Sequence, residues 1–163
     1  MAMYMMSIKV DNYTNVELKP IGTAFYPGCG EIQHEPKPVA SATSGTPFVA
    51  QKNEKAGGLW GVAAYSTPDP GEILIIYFAI PEDGGSYNRC WVGTVPAETT
   101  IDPDFVKRCY FNPFQSFSEQ KFIWEYRVEG GTRYALIVTP TIKDPRAWNT
   151  SLNVKVQLFY SVV

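Results

Sequence analysis

His34 is the only histidine in this chain of 163 residues, and it stands in a Pro-rich stretch beside Glu35 and Pro36. A general base or a metal ligand needs partner groups held against the ring. Its neighbours supply none, so an exposed loop histidine is expected. Glu82-Asp83 and Asp102/Asp104 are the carboxylate pairs that acid–base chemistry would use. Both stand where a turn or a helix cap uses the same side chains. Cys29, Cys90 and Cys109 are odd in number and widely spaced, which gives neither a disulfide framework nor a zinc site. They read as three reduced thiols, two of them buried. Nucleophile elbow, phosphate loop and dinucleotide fingerprint are all missing from the sequence. No enzymatic activity, cofactor or metal is expected.

The aromatic residues say more. Tyr87, Trp91, Phe105, Tyr110, Phe111 and Phe114 fall in or beside two segments, the loop after Pro81 and a short helix. In a β-sandwich two such segments can meet at one end. Tyr and Trp at a wet end can box a quaternary ammonium by cation–π attraction. They can also stack on a sugar or sit at a membrane interface. The competing role is core filling, above all for Trp91 and Phe114. The net charge of −2 argues against nucleic acid, which needs clustered Lys and Arg, and against simple adsorption to anionic lipid. Membrane binding would have to come from a specific headgroup or from aromatics.

The elements that must position these residues centre on Gly57 to Trp91. Leu59 to Tyr65 and Ile73 to Ile80 are apolar runs, and Thr67-Pro68-Asp69-Pro70-Gly71 between them is a turn. Strands apolar on nearly every residue must be covered on both faces. Met3–Val10, Val16–Phe25 with a break at Pro20, Thr46–Gln51 and Cys90–Val95 read as further strands. So do Ile123–Val128, Tyr134–Thr141 and Leu152–Val162, the last with alternating Leu152, Val154, Val156, Leu158 and Tyr160. Residues 27–44 read mostly as loop, and Glu129-Gly130-Gly131-Thr132 as a hairpin turn. Asp102-Pro103-Asp104 opens the one good helix, running to about Cys109. With 13 Gly, 13 Pro, 14% aromatic and 18% charged residues, this is an all-β chain. The expectation is a compact β-sandwich with one or two short flanking helices, residues 1–163 forming a single domain.

Several of these segments resemble the actinoporins, the pore-forming cytolysins of sea anemones, and their wider fold group. The matching pieces are Gly61-Val62-Ala63-Ala64-Tyr65-Ser66, Phe78-Ala79-Ile80-Pro81 and the loop with Tyr87 and Trp91. Ser7-Ile8-Lys9-Val10-Asp11-Asn12 is similar to that family's first strand, and Cys109-Tyr110-Phe111-Asn112-Pro113-Phe114 to its Tyr-Tyr-x-Asn-Pro-aromatic segment. The resemblance implies a phosphocholine headgroup, typically of sphingomyelin, held between the aromatic loop and the helix. Position by position it places the family's site Ser and Pro at Ala79 and Pro81, its loop Tyr at Tyr87, and its helix Tyr residues at Phe105, Cys109 and Tyr110.

The chain also departs from that family. Glu82 replaces an aromatic, Ser86 and Cys90 stand for Trp, and Gln115-Ser116-Phe117 replaces Arg-Gly-Asp. Only six residues precede Ser7, so the family's bilayer-inserting helix, which needs about 20 residues, is not expected in this stretch. Ser86-Tyr87-Asn88-Arg89-Cys90-Trp91 also resembles a segment of the fungal fruit-body lectins, which share the sandwich and bind galactosyl glycans. The alternative is therefore a lectin.

The expected ligand contacts are Pro81, Glu82, Tyr87, Arg89, Trp91, Phe105 and Tyr110. Tyr87 and Tyr110 would flank the ligand, Phe105 and Trp91 wall it, and Glu82 or Arg89 supply charge. The expected partner is a membrane lipid headgroup or a cell-surface glycan. The resemblance further implies a cytolysin-related defence protein that assembles as a homo-oligomer on membranes. The N-terminus has neither a basic region nor an apolar core of signal-peptide type. A soluble protein, stored in the cytoplasm or secreted, is expected to act at target membranes.

Overall fold

The structure, a computed structural model, describes residues 2–83, 87–111, 117–128 and 131–162. The strands are β1 (Tyr4–Tyr13), β2 (Pro20–Phe25), β3 (Glu31–His34), β4 (Thr43–Ser44), β5 (Phe48–Lys52), β6 (Leu59–Ser66), β7 (Glu72–Ile80) and β8 (Arg89–Pro96). A helix, α1 (Pro103–Phe111), precedes β9 (Phe122–Arg127), β10 (Thr132–Ile142) and β11 (Asn149–Val162). The larger sheet runs β3-β5-β1-β11-β10-β9, with β4 also paired to β1. The smaller runs β2-β6-β7-β8. The two pack as a sandwich, the all-β class expected from composition and turn spacing.

Alternation along each strand decides what fills the interior. Met6, Ile8 and Val10 of β1 point inward with Leu152, Val154 and Val156 of β11, and these two strands pair in parallel. From the other sheet they meet Leu59, Ala63 and Tyr65 of β6 and Leu74, Ile76, Phe78 and Ile80 of β7. Each fully buried Ile, Leu or Phe contributes about 1.5–3 kcal/mol.

The outer faces of β6 and β7 are covered as well, which is why both runs are apolar at nearly every position. Val62, Ala64, Ile75 and Tyr77 pack beneath Phe105, Val106 and Cys109 of α1. Asp102 caps that helix: its Oδ1 accepts from the Phe105 N–H at 2.8 Å, with Pro103 at the first helical position. Pro140 lies inside β10, but β9 ends at Phe122 opposite Val138. At Pro140 the strand is therefore an edge, where a missing N–H is tolerated.

Some expectations are corrected. Residues 27–44 are mostly loop, as expected, but not entirely. They hold β3 and β4, and His34 ends β3 instead of lying in a loop. β3 pairs with β5 through its main chain while Glu31, Gln33 and His34 are exposed, so it carries no apolar alternation to read. All three cysteines are buried and free, where two buried were expected. β11 continues past the core: Val156 is buried, while Tyr160 at its far end is 72% exposed. Phe114 and most of the Gln115-Ser116-Phe117 replacement lie outside the described residues, as do Ser86 and half of the expected 129–132 turn.

Candidate functional site

The expected site residues divide between two depressions that share no residue. Pro81 and Glu82, at the end of β7, line the first together with Tyr110 near the end of α1. β6 adds Trp60, and the loop before it adds Lys55 and Gly57. The depression is about 530 Å³, within the range of small-ligand sites. Tyr110 is 43% exposed. Its ring stands edge-on to Trp60 at 4.9 Å and lies 5.2 Å from Tyr26.

The acidic rim is tied to the backbone. Glu82 Oε2 accepts from the Gly57 N–H at 2.8 Å, which fixes the carboxylate beside the aromatic pair. Gly58 makes this close approach possible. Its φ is +70°, and a Cβ there would strike the Ile80 carbonyl oxygen and come within 2.8 Å of the Glu82 nitrogen. Trp60 Nε1 donates to the Gly57 carbonyl at 2.8 Å, and Lys55 Nζ stands 5.7 Å from the Trp148 ring. Aromatic faces, a fixed carboxylate and an ammonium thus share one rim.

Tyr87 and Arg89 line the second depression, of about 600 Å³, with Asn88, Glu119, Gln120 and Ile142. The Tyr87 hydroxyl accepts from Arg146 Nη2 at 2.7 Å, and that guanidinium lies 4.6 Å from the Tyr87 ring. Arg89 Nε donates to Glu119 Oε1 at 2.6 Å. Asn88 Nδ2 donates to the carbonyls of Asp144 and Ala147, so the β10–β11 connection is pinned against the start of β8. Tyr87 and Tyr110 therefore do not flank one depression.

Two further expectations change. Phe105 is fully buried in the layer between α1 and the smaller sheet, so it supports the helix and walls no ligand. Trp91 is half-buried against Tyr77 at 4.9 Å with Arg89 over its outer face at 4.7 Å. It lines neither depression. Ala79 and Cys109, at positions where the resembled family has site hydroxyls, are both buried. Burial pushes the Cys109 thiol up to about 12, the Arg108 charge opposing it.

Trp60, Tyr26 and Arg146 were not singled out from the sequence. Trp60 was legible in principle, because it stands second in β6 on the face that packs toward α1. Arg146 lies 59 residues from Tyr87, and no local pattern links the two. Among the described residues no group of three His, Cys, Asp or Glu can hold a metal. None of the described helices is long and apolar enough to cross a membrane.

No protein-family model matches the chain, and no curated protein does. Solved structures do. The lipid binding protein Nakanori aligns over 95% of this chain and 70% of its own, with TM-score 0.63 and 13% identity. A substituted form of the Xerocomus chrysenteron lectin XCL covers 94% and 97%, with TM-score 0.59 and 11% identity. The wild-type lectin covers 94% and 99%, with TM-score 0.54 and 13% identity. At these identities the likeness is one of fold. That fold is the actinoporin-like sandwich, with fruit-body lectins in the same group, which the sequence resemblance implied.

Proposed function

We propose that this chain recognises a phosphocholine headgroup at a membrane surface, in the depression between Pro81, Glu82, Trp60 and Tyr110. The observation that carries the reading is the Trp60–Tyr110 pair, edge to face at 4.9 Å beside a carboxylate held by a backbone N–H. A quaternary ammonium has no N–H to donate, so its recognition rests on aromatic faces and nearby negative charge. Glu82 supplies that charge in place of the aromatic found at this position in the actinoporins. Lys55 on the same rim suits the phosphate. The lipid-binding neighbour of the same fold favours this reading.

The test is sedimentation with phosphatidylcholine vesicles, with and without sphingomyelin. Free phosphocholine should compete, and Tyr110→Ala should weaken binding by about 1–3 kcal/mol, the scale of a desolvated cation–π contact with its packing. Unchanged binding in that variant would move the site elsewhere. On the same reading the protein is related to membrane-assembling cytolysins, and trapped-dye release from the same vesicles tests that part.

A second reading, a glycan-binding lectin, has its own observation. Tyr87 with Arg146 stacked on it, Arg89 and Gln120 surround the larger depression with an aromatic ring and hydrogen-bonding groups. The lectin neighbour favours it. A galactoside should then compete where phosphocholine does not, and Tyr87→Ala should weaken binding while Tyr110→Ala does not.

A further inference from the structure

A third depression, of about 430 Å³, lies away from both on the outer face of the larger sheet. Ile8, Val10, Leu152 and Val154 point into the core, so Ser7, Lys9, Ser151 and Asn153 point outward. The pairing register sets Ser7 beside Ser151 and Lys9 beside Asn153, with Thr141 of β10 on the other side of Asn153. The Lys143 N–H donates to the Ser151 carbonyl at 2.9 Å, which brings Lys143 to the same rim. Ser7, Ser151 and Asn153 on two central strands share the floor with Leu152 and with Pro47, so that its exposed surface is more apolar than polar, and Lys9 and Lys143 stand at its sides.

Apart from Lys9, these polar groups find no partner among the described residues. Among the described residues the side chains of Ser7, Thr141, Lys143, Ser151 and Asn153 make neither a hydrogen bond nor an ion pair. Asn153 Oδ1 is buried and still without a donor, an arrangement that is destabilising unless a donor arrives from outside. The charge is unbalanced. Lys9 Nζ lies 3.7 Å from Asp11 Oδ1, which partly offsets it, while the Lys143 ammonium is unopposed. A ligand complementary to this lining must offer an apolar ring face, hydroxyls at its edge for the few polar groups, and one negative group for Lys143.

We infer that this depression binds an acidic sugar or cyclitol, a polyhydroxylated ring bearing a carboxylate or a phosphate. The ring hydroxyls meet Ser7, Ser151, Thr141 and the Asn153 amide, and the anionic group meets Lys143 with Lys9 behind it. The site is independent of the phosphocholine reading, since it shares no residue with that depression.

The test is titration calorimetry of the full chain with N-acetylneuraminic acid, myo-inositol 1-phosphate, galactose and inorganic phosphate. At least one of the two acidic ring probes should bind saturably, about tenfold or more tighter than galactose and than phosphate. Which of the two binds identifies the anionic group. Lys143→Gln, an exposed change that leaves the fold alone, should weaken that binding at least about fivefold, and Tyr110→Ala should leave it intact. Failure of both acidic probes, equal binding of phosphate, galactose binding that Lys143→Gln weakens as much as the acidic probe's, indifference of the acidic probe to Lys143→Gln, or its loss in Tyr110→Ala would each overturn the inference.

Discussion

Tyr110 and Glu82 stand on the same rim for different physical reasons. Tyr110 is held by rings, Trp60 at 4.9 Å and Tyr26 at 5.2 Å. Glu82 is held by a backbone N–H, which fixes its carboxylate on the rim. At this scale the buried thiols give a prediction independent of any ligand. Cys109 ionises at about 12 in the folded chain, against the usual 9.0, because burial penalises the thiolate. Burial raises Cys90 too, with Glu119 adding to the effect. The unfolded thiols lose their protons first as pH rises. Their contribution is therefore fully present below about pH 9 and is lost between about pH 9 and 12. The melting temperature should fall across that window, and Cys109→Ala should remove part of the fall. At neutral pH a thiol reagent should label none of the three cysteines until the protein is denatured, and fast labelling of native protein would contradict their burial.

Elements differ in how openly they announce themselves. β6 and β7 were legible because burial on both faces leaves uninterrupted apolar runs. α1 was legible because its cap is local, Asp102 three residues before the N–H it accepts from. β3 was not, since it pairs by main chain at an edge with its polar side chains outward. Nor does a local pattern announce the parallel pairing of β1 with β11, which joins the two ends of the chain. Two predictions belong here. Asp102→Ala should lower stability by about 1 kcal/mol in chemical denaturation, the usual worth of an N-cap. It should also weaken headgroup binding, because α1 carries Tyr110. Gly58→Ala forces a Cβ at φ +70° against the Ile80 carbonyl. It should cost about 1–3 kcal/mol and displace Glu82 from Gly57. Unaltered stability in that variant would mean that the β5–β6 loop yields freely.

Among the described residues, two sheets and one helix place two depressions beside the aromatic-rich segments and a third on the outer face of the larger sheet. The sequence pointed to a single site holding Pro81, Glu82, Tyr87, Arg89 and Tyr110, whereas the fold puts Pro81, Glu82 and Tyr110 on one depression and Tyr87 and Arg89 on another. The error is a matter of range. Residues near in sequence to the loop after Pro81 were assumed to share its pocket, whereas Arg146 draws Tyr87 toward the β10–β11 connection. Trp60 on β6 and Tyr26 just after β2 are distant in sequence from α1, and only folding brings them to Tyr110. The central claim is that the Trp60–Tyr110 depression holds a phosphocholine headgroup. Vesicle sedimentation with phosphatidylcholine, challenged in parallel by free phosphocholine and by a galactoside, tests it most directly. The account predicts pelleting that phosphocholine reverses, the galactoside leaves intact and Tyr110→Ala weakens. Absence of pelleting, or reversal by the galactoside alone, would contradict it.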